Sequence, residues 1–231
     1  MIVTDRFVFL HLHKSGGSFV NECILRHVPG ARQAGYHLPA SLIPEASSQL
    51  PVIGLVRNPW SFYVSWFSFQ QQRPRQNALF RVLSDNGRLG FSGTIHNMLD
   101  LGRDDALLSR LVGALPREYG TRGLNLPGFA LDPIRGSSLG FYSYLYEYMY
   151  SGGGARVRIG RMEHLAQELP GLFAGAGYAC SAALREYLLH APRLNSSEHS
   201  SYGSYYDPAL RDRVAVQDAP VIARHGYGFE G

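Results

Sequence analysis

Lysine is all but missing from this chain. Of its 22 Lys plus Arg residues only Lys14 is a lysine; every other one is arginine. A compact ammonium and a forked guanidinium do not substitute for each other, so a single lysine against an arginine background marks a chemical requirement. Cysteine is scarce too. Cys23 and Cys180 are the only two, too few for a disulfide framework, and they read as reduced, buried thiols. No stretch approaches the roughly 18 apolar residues of a membrane span. The opening MIVTDRFVFL has no basic region followed by a long apolar one. These absences lead us to expect a soluble, cytoplasmic protein without a membrane span. Charge is also sparse, at 17% of residues, and the net value of +4 favours an anionic partner without naming one.

What is present is ordinary globular composition, 45% hydrophobic over 231 residues. That predicts one domain, 1–231, able to bury its own core. RFVFLHL at 6–12 alternates and is β-prone, so it reads as a strand. Phe19, Val20, Cys23, Ile24, His27 and Val28 recur at helical spacing until Pro29-Gly30. A second strand is expected at 32–36, and PVIGLV at 51–56 reads as a buried parallel strand. Pro59 sits at a first-turn position, and Trp60, Tyr63, Val64 and Phe67 then line a helix. The segment 71–140 reads as a helical insert or lid. Within it, DNGRLGFSG looks like turns and DDALLSRLVGAL like a helix begun by two aspartates. FYSYLYEYMY at 141–150 carries tyrosine at every even position, compatible with a strand or with a helix bearing tyrosine all round. ARVRIG at 155–160 reads as a strand, followed by helices near 162–174 and 181–190. Asp207-Pro208 opens a last helix running to His225, with a kink at Pro220 and a stop at Gly226. Strand and helix alternate, which predicts α/β layers around a central parallel sheet.

The loop HKSGGS therefore joins a strand to a helix. Such a turn exposes backbone N–H groups at the positive end of the helix dipole, where an anion is favoured. Gly16 and Gly17 allow close approach, Ser15 and Ser18 offer hydroxyls, and Lys14 adds a full charge. In the ATP-type loop GxxxxGK[ST] the lysine follows the glycines; here it precedes them. That order suits a terminal phosphate-like group with no obligatory metal. A second anion site is suggested by VRNPWSFYVSWF. Arg57 caps an apolar strand at the end where open α/β sheets bind ligands and can make a forked phosphate contact. Ser65 follows eight residues later on the next helix.

Together HKSGGS and VRNPWSFYVSWF resemble the sulfotransferases that use 3′-phosphoadenosine 5′-phosphosulfate (PAPS). The nearest likeness is to a bacterial-like member of the carbohydrate-type, heparan-sulfate-sulfotransferase-like branch, whose loop reads PK[ST]GG[TS]. The resemblance implies a P-loop-like three-layer α/β fold, with a helix at 141–150. It implies that Lys14, Ser15, Gly16, Gly17, Ser18 and Phe19 grip the 5′-phosphosulfate, and that Arg57 and Ser65 grip the 3′-phosphate. GRMEHL at 160–165, LNSSEHSSYGSYYDPALRDRV at 194–214 and RHGYGF at 224–229 extend the likeness. His13 departs from it, standing where many members have proline.

Sulfuryl transfer needs donors for the leaving phosphate oxygen, a role for Lys14, and a base for the acceptor hydroxyl. His37 in GYHLPA is the first candidate base, with His11, His13 and Glu22 as rivals; Arg193 and Asn195 are further possible contacts. The expected partners are the nucleotide sulfate donor and a hydroxyl-bearing acceptor such as a sugar, with no nucleic acid and no metal. Three other readings stay open: a zinc hydrolase using His11 and His13, a nucleotide kinase, and a non-catalytic nucleotide- or glycan-binding module.

Overall fold

The computed structural model describes residues 1–120, 126–190 and 201–229. In chain order its elements are β1 (Ile2–Val3), β2 (Val8–Leu10), α1 (Gly17–His27), β3 (Arg32–Gln33), β4 (Val52–Val56), α2 (Pro59–Gln71), α3 (Ala78–Leu83), α4 (Phe91–Asp100) and α5 (Asp105–Ala114). Then come α6 (Gly128–Leu131), α7 (Phe141–Tyr150), β5 (Val157–Arg161), α8 (Leu165–Gly175), α9 (Ala182–His190), α10 (Pro208–Gln217) and α11 (Ala219–His225). Two units are distinguished: Met1–Arg57 with Glu147–Ser196, and Asn58–Tyr146 with Ser197–Gly231.

The first unit is α/β. Its sheet has the order β3-β1-β2-β4-β5. The strands β2, β4 and β5 are parallel, as the short apolar runs predict. The sheet as a whole is mixed, because β1 runs antiparallel to both β2 and β3. The cause is local. The Thr4 hydroxyl accepts the N–H groups of Arg6 and Phe7 and donates to the Phe7 carbonyl, at 2.8–3.1 Å, folding residues 2–10 into a hairpin. Strand β3 opens the strand expected at 32–36, shortened to two residues, whereas β1 was not expected, since a two-residue strand carries no measurable alternation.

On β4, Ile53 and Leu55 face a core shared with Val20, Cys23 and Ile24 of α1, Leu169 and Phe173 of α8, and Leu184 and Leu188 of α9. Gly54 faces the other way. A Cβ there would lie 2.4 Å from the Tyr150 ring, so only glycine admits that tyrosine. Strand β2 pairs with β4 only as far as Gly54. Beyond it the Tyr150 hydroxyl takes over, accepting the Leu55 N–H at 3.1 Å and donating to the Leu55 carbonyl at 2.8 Å. Buried backbone groups need such partners, and this substitution lets β2 leave the sheet and enter the loop.

The segment 141–150 is a helix, as the resemblance implies and against its period-two tyrosines. Spacing by four puts Tyr142, Tyr146 and Tyr150 in register on one face, and all three are buried.

The second unit is helical among the described residues. Asn58 caps α2, accepting from the N–H groups of Trp60 and Ser61, with Pro59 in the first turn. Asp104 caps α5 in the same way. The FSG of DNGRLGFSG belongs to α4 rather than to a turn; the left-handed residues stop at Asp85, Asn86 and Gly87. The last helix does not kink at Pro220. It breaks at Asp218 and restarts at Ala219, with Pro220 in the new first turn, where a missing N–H costs nothing. The break frees the buried Asp218 carboxylate to accept from the Ser143 N–H and the Tyr63 hydroxyl, each at 2.7 Å. Among the described residues no helix is long and apolar enough to cross a membrane.

Candidate functional site

Parallel β2, β4 and β5 end on the same side, so the chain segments that follow them, starting at His11, Arg57 and Met162, gather at one carboxyl edge of the first unit. This is where open α/β sheets take ligands. After β2 the chain reverses through Lys14 at φ +57° and Gly16 at φ +76°. Helix α1 starts directly behind, with Gly16 as an N-cap that supplies no side-chain acceptor and no acidic residue in the first turn. Its leading N–H groups and dipole are thus uncompensated by the helix itself.

Lys14 is held from behind. The Arg57 guanidinium donates through Nη1 to the Lys14 carbonyl at 3.1 Å, joining the end of β4 to the left-handed residue. Ser15 is buried and its hydroxyl donates to the His13 carbonyl at 3.3 Å. The Ser18 hydroxyl lies 3.4 Å from that of Tyr36. Gly17 is required by its neighbour: a Cβ would fall 1.9 Å from the His11 ring. The Phe19 ring turns into the core and stacks on Tyr187 at 5.6 Å, while its N–H donates to the Gly16 carbonyl. Ser65 belongs to the second unit, buried on α2.

Three of the nine histidines meet beside this loop. His37 and His13 stack with centroids 3.7 Å apart and planes 11° from parallel. His11 approaches His37 at 4.2 Å and 48°, and Tyr36 meets it edge-on at 4.7 Å. His37, like Lys14, sits in the left-handed region, at φ +52°. Its Nδ1 lies 2.7 Å from the His11 carbonyl. A carbonyl only accepts, so Nδ1 carries the proton and the lone pair is on Nε2. The Asn21 amide donates to His11 Nδ1 at 3.3 Å. Among the described residues neither ring nitrogen of His13 has a partner, and neither is exposed. Burial disfavours the imidazolium, and it pushes His13 down to about 4 and holds His11 and His37 well below the usual histidine range.

His13 lies flat on His37 and His11 is tilted against it, so the three imidazoles meet through their ring faces. Among the described residues no group of three or more His, Cys, Asp or Glu could hold a metal ion. The rival zinc-hydrolase reading, with His11 and His13 as ligands, therefore finds no further donor among the described residues. Glu22, another candidate base, is paired with Arg26 one turn on, at 2.5 Å. Arg161 of GRMEHL is turned to Glu168, which accepts from its N–H at 2.7 Å and its Nε at 3.1 Å. Arg193 and Asn195 lie outside the described residues, as does the 194–200 part of the C-terminal motif.

The loop, Arg57 and His37 were all named from sequence. The stack was not, nor were Tyr36 and Asn21. His37 arrives from beyond β3, and no spacing rule joins it to His11 and His13.

No protein-family model matches the chain, and no curated protein does. Among solved structures it is similar to the crystal structure of mouse sulfotransferase SULT7A1 complexed with PAP. The identity is 12%, the match covers 95% of this chain and 84% of that one, and the TM-score is 0.49.

Proposed function

We propose that the chain is a sulfotransferase that moves the sulfuryl group of PAPS to a hydroxyl, with a carbohydrate as the acceptor class. The observation that carries this reading is the Lys14 loop: the only lysine of the chain, in a left-handed turn, ahead of a helix mouth without a side-chain cap, clamped by Arg57. Sites where backbone strain, an unpaired dipole and a full charge coincide are built for an anion. The choice of a sugar acceptor, and the role of Ser65 at the 3′-phosphate, rest on the sequence motifs.

PAPS supplies an activated sulfuryl group and a phosphate leaving group. The residues of this chain do the rest. Lys14 and the first N–H groups of α1 meet the charge that develops on the leaving oxygen. Donors of this kind are worth on the order of 3–4 kcal/mol each in other enzymes. Arg57 holds the Lys14 backbone in place and contributes to gripping the 3′-phosphate. His37 takes the acceptor proton at Nε2, which makes no hydrogen bond to any described residue. Held neutral by burial, the ring has its lone pair available at neutral pH, at reduced basicity. An anion bound beside Lys14 would raise that basicity, because a nearby negative charge favours the imidazolium.

Titration calorimetry with 3′,5′-adenosine bisphosphate against ATP tests the reading. The bisphosphate should bind, and should protect against thermal unfolding by about 2.7 kcal/mol at a hundredfold excess over Kd. Release of the bisphosphate from PAPS should rise when oligosaccharides are added. Preference for ATP, or no binding by either nucleotide, would overturn it.

A further inference from the structure

We infer that His13 is a positioning residue for His37: its ring, lying flat on that of His37, sets the plane of the base and so the direction of the Nε2 lone pair. The inference deepens the sulfotransferase reading and rests on it for the role of His37. The hydrogen bond from Nδ1 to the His11 carbonyl selects the tautomer. It holds the ring plane only weakly, because rotation about Cβ–Cγ is opposed there by the bending of one N–H···O bond. His11 and Tyr36 touch the ring at 48° and 86°, and inclined contacts tolerate such a swing. The parallel contact, 3.7 Å and 11°, does not.

The second argument is the state of His13 itself. Both of its nitrogens are buried and have no partner among the described residues. Polar atoms are rarely left so, and each case needs a reason. A ring that makes no hydrogen bonds contributes through its face. Burial keeps it neutral, so it stacks on His37 without adding a charge. Its place in the chain gives the stack a consequence. His13 directly precedes Lys14, and its carbonyl accepts from Ser15. His37 follows β3. The stack thus ties the loop proposed to hold the sulfate donor to the base proposed to serve the acceptor. A proline at this position, as in PK[ST]GG[TS], has no aromatic face to offer.

The test compares His13→Phe, which keeps a flat ring, with His13→Leu, which fills space without one. Nitrogen-15 NMR of histidine-labelled protein without nucleotide reads the His37 ring directly. His13→Phe should retain the Nδ1–H tautomer as one sharp form, and His13→Leu should show exchange or a tautomer mixture. PAPS turnover with a heparosan oligosaccharide should fall tenfold or more in His13→Leu and stay within threefold of the parent in His13→Phe. The Kd for 3′,5′-adenosine bisphosphate should be unchanged in both. An unaltered His37 spectrum in folded His13→Leu would overturn the inference, as would equal turnover by the two variants. Should the parent protein bind no bisphosphate, the sulfotransferase reading fails, while the His37 spectra still decide whether His13 sets the ring.

Discussion

Lys14 and His37 share a backbone conformation that residues with a Cβ avoid, at φ +57° and +52°. The left-handed region costs such a residue about 1–2 kcal/mol, so both are held there by their surroundings: Lys14 by Arg57, His37 by its bond to His11. A comparison of two substitutions follows. Lys14→Ala and Lys14→Gly should each lower the proposed sulfuryl transfer by about 10²–10³-fold, the loss of one preorganised donor. Yet Lys14→Gly should be the more stable of the two by about 1 kcal/mol in urea unfolding, since glycine adopts this conformation freely. Equal stability would argue that the turn is not strained. Gly17 sets a second residue-scale test. With a Cβ aimed at the His11 ring, Gly17→Ala should destabilise by about 1–3 kcal/mol, typical of overpacking, as a shift of the urea midpoint.

At the scale of elements, Asp218 is where helices meet. It breaks α10 from α11 and receives the Ser143 N–H at the start of α7 and the Tyr63 hydroxyl from α2. Gly140 is small for the same reason; a Cβ there would lie 2.6 Å from the carboxylate. Asp218→Ala would strand a buried N–H and a buried hydroxyl, at about 1–3 kcal/mol for each unsatisfied group. Burial raises the Asp218 pKa to about 6 from 3.8. Between these values the folded form binds the extra proton. The Asp218 contribution is therefore fully present below pH about 4 and is lost as pH rises through 6, at up to about 1.4 kcal/mol per pH unit. Asp218→Asn should remove this slope. Both tryptophans, Trp60 and Trp66, lie on α2 in the same unit, so their fluorescence follows it.

Across the whole molecule the two units carry opposite acid responses. The first holds His11, His13 and His37, all with depressed pKa values. Here the unfolded chain binds more protons below about pH 6.5, so stability is full above that value and is lost as pH falls. For His13 the loss runs from 6.5 to about 4, at up to about 1.4 kcal/mol per pH unit. Acidification from pH 7 to 5 should thus weaken the first unit, read by histidine NMR, while the Asp218 contribution to the second grows. A tryptophan transition that loses the most stability on acidification would contradict this assignment. The mixed sheet belongs to the same scale. The parallel strands β2, β4 and β5 were legible as apolar or alternating runs and β3 as the start of the strand expected at 32–36, whereas β1, two residues long, exists only through pairing.

Local chemistry was enough to read the strand–loop–helix of HKSGGS, the caps at Asp104 and Asp207, and the singular lysine. Each depends on neighbours a few residues apart. The helix at 141–150 was ambiguous locally, because tyrosine suits both a pleat and a buried helix; burial of Tyr142, Tyr146 and Tyr150 on one face decided it. The ring of His13 against His37, the hold of Arg57 on the Lys14 carbonyl and the closing of Leu55 by Tyr150 were beyond the sequence. Their partners lie 24, 43 and 95 residues apart. Such contacts arise only when the packed sheet brings distant segments together, and no local pattern encodes which ring or carbonyl will be waiting there.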